Sequence, residues 1–149
     1  MIFNPSRDEV RSFFISAWQK HRADSPSRPA EPIEILAAQW IAEHPEYHPL
    51  LENSGADDAL AKDFSPEGGQ SNPFLHLSMH LSISEQVSID QPPGIRAAVE
   101  TLARKLGSLH EAQHQVIECL GEMLWRAQRT GLPPDAREYL DCIRRRVQR

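Results

Sequence analysis

Apolar residues recur through most of this chain at intervals of three and four, the spacing of one face of an α-helix. Val10, Phe13, Phe14, Ala17 and Trp18 make the first stripe, and Ser6 with Glu9 supplies a capping box at its start. That helix is predicted to end near His21, ahead of Asp24-Ser25-Pro26-Ser27-Arg28-Pro29. Ile33, Leu36, Ala37, Trp40 and Ile41 repeat the pattern and stop before Pro45. Both helices are amphipathic and need a partner to cover their stripes. His44-Pro45-Glu46-Tyr47-His48-Pro49-Leu50-Leu51 reads as a short helical turn opened by proline. Another turn is expected from Asp57 to Phe64, and Ser65 to Ser71 is the clearest loop.

From Leu75 to Ile89 the pattern changes. Leu75, Leu77, Met79, Leu81 and Ile83 fall on odd positions, with His76, Ser78, His80, Ser82 and Ser84 between them. Alternation of this kind belongs to a β-strand. Three observations oppose it. Asn72-Pro73 is a helix N-cap followed by proline at the first helical position. The segment is long for a strand, and no second strand candidate could pair its backbone. Residues 73–88 are therefore predicted as a helix, apolar on most sides and buried.

Pro92-Pro93-Gly94 breaks the chain, and Ile95, Val99, Leu102 and Leu106 mark a helix to about Lys105. Gly107 ends it, and Ser108 with Glu111 opens the next through a second capping box. That helix runs through Val116, Leu120, Met123, Leu124 and Ala127 to Gly131. Pro133-Pro134 restarts the chain, and Ala136, Tyr139, Leu140, Ile143 and Val147 form the last stripe. The expected fold is a single all-α domain over residues 1–149, a bundle of about six helices with short connections.

Composition narrows the class. Hydrophobic residues at 40% and charged residues at 25% suit a soluble globular domain of this size. No apolar run reaches the length of a membrane span. Met1-Ile2-Phe3-Asn4-Pro5 has neither the basic lead nor the apolar core of a secretory signal, which points to the cytoplasm. Cys119 and Cys142 lie in helix-patterned segments, so buried free thiols are expected. The net charge of −5 is uneven: residues 1–75 hold six Lys/Arg and twelve Asp/Glu. An acidic half argues against a nucleic-acid surface. The one basic cluster, Arg144-Arg145-Arg146 with Arg149, reads as a solvated helix end complementing the helix dipole.

Four of the seven histidines form two pairs at helical spacing, His76/His80 and His110/His114. Residues four apart sit about one turn apart on one helix face. If helices 73–88, 95–106 and 108–130 run up, down and up, the first and third are parallel. Both pairs then occupy the same end of the bundle, and four imidazoles can converge on an ion. Zinc accepts four neutral imidazoles, whereas iron or manganese would want carboxylates as well. Glu118, one turn beyond His114, is a fifth candidate ligand. Glu111 and His114 make a single Glu-x-x-His, one short of the pair a di-iron bundle uses.

Plainer readings stand beside this one. Helix N-termini disfavour cations and favour anions such as phosphate, and histidines on helices are often packing residues. His44 and His48 flank Pro45 and read as a polar turn. Gly68-Gly69-Gln70 repeats the tripeptide of translation release factors without the basic flanks, as chance would supply. No phosphate-cradling loop, nucleophile elbow or Cys-x-x-Cys is present. Trp18, Trp40 and Trp125 lie on apolar stripes and are expected as core anchors.

Four stretches carry a resemblance: Phe3-Asn4-Pro5-Ser6-Arg7-Asp8-Glu9-Val10; Trp40 to His48; Asn72-Pro73-Phe74-Leu75-His76-Leu77-Ser78-Met79-His80-Leu81; and Ile89 to Arg96. Together they resemble the uncharacterised bacterial family called domain of unknown function 1841, over nearly the whole chain. The resemblance implies a small bacterial cytoplasmic protein and brings no activity or ligand with it. Likeness to DinB-like and haemerythrin-like metal bundles rests on His-x-x-x-His spacing alone. Two functions remain open. One is a metal-binding bundle using His76, His80, His110, His114 and Glu118 with a divalent transition metal, zinc favoured. The other is a non-enzymatic interaction module, with packed histidines and a protein partner for the acidic half or the arginine tail.

Overall fold

The computed structural model describes residues 6–22, 30–52 and 72–149. The expectations for residues 1–5, Asp24–Pro29, Asp57–Phe64 and the Ser65–Ser71 loop with its Gly-Gly-Gln fall outside these. Every regular element among the described residues is helical. They are α1 (Arg7–Arg22), α2 (Pro32–Ala42), a 3-10 turn (Pro45–Tyr47), α3 (His48–Leu51), α4 (Pro73–Ile89), α5 (Ile95–Leu106), α6 (Leu109–Thr130) and α7 (Ala136–Gln148). They form two compact units, Met1–Leu81 and Ser82–Arg149, with the boundary inside α4.

In the first unit the caps act as the sequence predicts. Ser6 Oγ accepts from the Glu9 N–H at 3.1 Å, and the Ser6 N–H donates back to the Glu9 carboxylate. Glu31 and Glu34 form a second box at the start of α2, where Pro32 needs no partner for an N–H. Helix α1 packs on α2, and Phe14, Trp18, Ile41, Leu51, Phe74 and Leu77 fill the space between elements. Lys20 donates to the buried Glu34 carboxylate at 2.8 Å, fastening the end of α1 to the start of α2.

Helix α4 resolves the competing periodicities in favour of the cap. Asn72 Oδ1 accepts from the N–H groups of Phe74 and Leu75 at 3.0 and 3.2 Å. Once helical, the alternating residues no longer share a face. Leu77, Leu81 and Ile83 are buried, whereas Leu75 is 58% and Ile89 65% exposed. The helix is thus less fully buried than its composition suggests, because both ends carry apolar residues into solvent.

In the second unit α5, α6 and α7 pack on one another around Ile95, Val99, Leu102, Val116 and Ile143. Gly107 and Gly131 end α5 and α6 at φ +73° and +72°, where a Cβ would be strained. Ser108 and Asp135 cap the helices that follow. The C-terminal turns of α4 join this unit through polar contacts: Gln113 Nε2 donates to Ser84 Oγ, and the Tyr139 hydroxyl donates to Gln86 Oε1 at 2.7 Å. Burial pushes the Tyr139 phenol far above its ordinary range, so it stays a donor. Lys105 donates to the Val147 and Arg149 carbonyls at the end of α7.

Two sequence expectations are corrected here. Cys119 and Cys142 are joined in a disulfide, not held as free thiols. Packing of α6 on α7 sets their Cα atoms 5.8 Å apart, within bridging range, although 23 residues separate them in sequence. Trp125 is 54% exposed and lies under the Arg129 guanidinium, so only Trp18 and Trp40 are core anchors. The second half of α6 is mainly exposed, and its stripe lacks a cover.

The helical reading of α4 predicts unequal costs for two leucines that a strand would treat alike. Leu77→Ala should lower stability by about 2–5 kcal/mol. Leu75→Ala should stay within about 0.5 kcal/mol. Urea midpoints of the two variants, read by far-UV circular dichroism, make the comparison.

Candidate metal centre

The first unit gathers three histidines by three local routes. His76 and His80 stand one turn apart in the first half of α4, placed there by the Asn72 cap. His44 follows the last turn of α2, where its N–H donates to the Ile41 carbonyl as the helix ends. It continues the apolar face of Trp40 and Ile41, which turns its ring inward. His44 is 2% and His80 0% exposed, and His76 is half-buried.

Their ε-nitrogens converge. His76 Nε2 lies 3.2 Å from His44 Nε2 and 3.1 Å from His80 Nε2. The ligating nitrogens of all three fall within 4.8 Å of one another. A tetrahedral ion with bonds of about 2.0–2.1 Å separates its donors by about 3.3–3.4 Å. The two spacings at His76 are therefore within a few tenths of an ångström of the edge of such a polyhedron.

Neighbouring groups fix the rings. His44 Nδ1 sits 2.7 Å from the Trp40 carbonyl oxygen. A carbonyl only accepts, so Nδ1 carries the proton and donates, leaving Nε2 of the neutral ring as a lone pair facing the cluster. Metal-bound histidines are oriented in this way. The His80 ring stacks on the Trp40 indole at 4.1 Å and 14°. Tyr47 stacks on the other ring, that of His44, at 5.2 Å. Burial, helped by Glu46, pushes the Tyr47 phenol up, so it remains neutral. Such a nitrogen set could hold a borderline cation. Its three donors are imidazoles, with no carboxylate among the grouped residues.

His110 and His114 pair within α6, with Nε2 atoms 3.0 Å apart and both rings half-buried. Glu118 is exposed and accepts from Arg146 Nη1 at 2.7 Å, an ion pair that occupies one carboxylate oxygen at the surface. His48 directs Nε2 to the Ile41 carbonyl at 2.9 Å and stacks on Trp18. His44 is the residue that the polar-turn reading missed. Counting the α2 stripe on from Ile33, Leu36, Ala37, Trp40 and Ile41 reaches position 44, and that signal outweighs the neighbouring proline.

The chain belongs to the DUF1841 family (domain of unknown function), whose model matches residues 6–145. No curated protein matches it, and no solved structure does. No described helix is long and apolar enough to cross a membrane.

The carbonyl contact predicts that neutral His44 is the Nδ1–H tautomer. Long-range proton–nitrogen NMR spectra should show it. Replacing Trp40 with leucine keeps that carbonyl but removes the His80 stack. The tautomer should then persist while the His80 ring resonances move.

Proposed function

We propose that this protein is a metal-binding helical protein, its ion held by imidazoles of which His44, His76 and His80 form the buried part. The observation that carries the reading is the pair of 3.1–3.2 Å contacts meeting at His76 Nε2. That atom bears either a proton or a lone pair. With His44 Nε2 unprotonated, its lone pair faces the same point as the ε-nitrogens of His76 and His80. A cation satisfies every lone pair at once. An all-nitrogen set favours zinc over magnesium, calcium or manganese, which prefer oxygen.

His114, with His110 beside it, remains the proposed source of a fourth ligand, on the spacing that pairs them in the sequence. Glu118 is better explained by Arg146. Burial of His44 and His80 supports a shielded ion that contributes to folding rather than one open to substrate.

Untagged protein should carry near-stoichiometric transition metal by elemental analysis, with zinc in excess of iron and copper. Chelation should lower the melting temperature, since an ion at a thousandfold excess over its Kd stabilises by about 4 kcal/mol. His76→Ala should abolish binding and stability gain together, while His48→Ala should retain the metal. Metal lost in His114→Ala assigns the fourth ligand; metal retained there leaves that position to water. Metal-free protein whose melting point ignores added zinc would reduce the histidines to packing residues.

A further inference from the structure

The second unit holds a feature independent of the metal reading. A cavity of about 350 Å³ opens between α6 and α7 over the Cys119–Cys142 disulfide. Both cysteines line it, together with Glu122, Arg126, Glu138 and Arg145. We propose that Cys119–Cys142 is a thiol–disulfide exchange site for a small zwitterionic thiol, one carrying both a carboxylate and an ammonium group.

The two sulfurs are unequal. Cys142 is 7% and Cys119 1% exposed, so an entering thiol meets Cys142 first. The cavity is at the small end of ligand sites, which run from about 300 to 1,000 Å³. Its charges are also unequal in availability. Arg126 is held between Glu122 and Glu138 at 2.8 Å each. Arg145, one turn beyond Cys142 on α7, is exposed and pairs with no carboxylate among the described residues. It can take a ligand carboxylate, while the acidic rim offered by Glu122 and Glu138 suits an ammonium. Both cysteines are otherwise buried, so the cavity is the route by which a small thiol would meet them beside a cation.

The exchange balances without any further reagent. The entering thiolate attacks Cys142 Sγ and forms a mixed disulfide; the Cys119–Cys142 bond breaks, and its electron pair leaves on Cys119 Sγ. That sulfur takes up the proton the entering thiol released. A second thiol attacks the small-molecule sulfur of the mixed disulfide and frees Cys142 as a thiol. Two thiols are oxidised to one disulfide while the protein pair is reduced. In the reverse direction the small disulfide reoxidises the chain, with Cys119 closing on the mixed disulfide at Cys142.

The test uses the folded full-length chain with glutathione, and 2-mercaptoethanol as the neutral comparison, at equal thiolate concentration. Intact mass after acid quenching, followed by peptide mapping, should show one glutathionyl group on Cys142. Glutathione should react several-fold faster than 2-mercaptoethanol, and Arg145→Gln should erase that advantage without changing the circular dichroism spectrum. Raising the salt concentration should shrink the same advantage in the unaltered chain, which keeps the test independent of the variant's folding. Any of four results overturns the proposal: free thiols in protein isolated without reductant, reaction only after unfolding, a first adduct on Cys119, or equal rates for the two thiols.

Discussion

Three imidazole nitrogens crowded around one point impose the constraint on which the rest of the first unit depends. His76 Nε2 stands 3.1–3.2 Å from the ε-nitrogens of both His44 and His80. Buried polar atoms must find partners within the protein or bind an ion, so such a group is placed with care. The surroundings hold the rings. The Trp40 carbonyl fixes the His44 tautomer, the Trp40 indole covers His80, and Tyr47 stacks on His44. Trp40 thus serves two histidines, one through its backbone and one through its ring.

That arrangement connects local structure to chemistry in short steps. The Asn72 side chain starts α4, which sets His76 and His80 one turn apart. The end of α2 and the 3-10 turn at Pro45 stop the backbone where His44 still lies on the inward stripe. The packing of Phe14, Ile41 and Leu77 holds these elements together. A cation at the centre would then connect two elements already joined by apolar burial. For that reason metal content and thermal stability are expected to fall together.

The second unit rests on a different device. Its helices are capped by Ser108, Asp135 and the left-handed glycines, and α6 is tied to α7 covalently. Where α6 continues past this tie, its apolar stripe loses cover and Trp125 and Leu124 are exposed. The cavity over the disulfide is lined by charged groups together with Met123 and Tyr139. A buried covalent link thereby lies beneath a largely charged cavity.

Much of this was determined by the sequence alone, for reasons that are local. Helix starts and stops followed from Ser6, Asn72, Gly107, Ser108 and Gly131, because capping depends on residues within one turn of each end. The helical pairs His76/His80 and His110/His114 followed from the same geometry. The alternation in α4 misled only in part: the cap decided the conformation, and the exposed Leu75 shows that the period-two pattern had no burial behind it. What tertiary structure decided was contact between distant positions. His44 joins His76 across 32 residues, Cys119 meets Cys142 across 23, and Glu118 turns to Arg146 across 28. No periodicity encodes such pairs, because they depend on how amphipathic faces dock, and docking is set by the summed packing of many side chains and not by any one spacing.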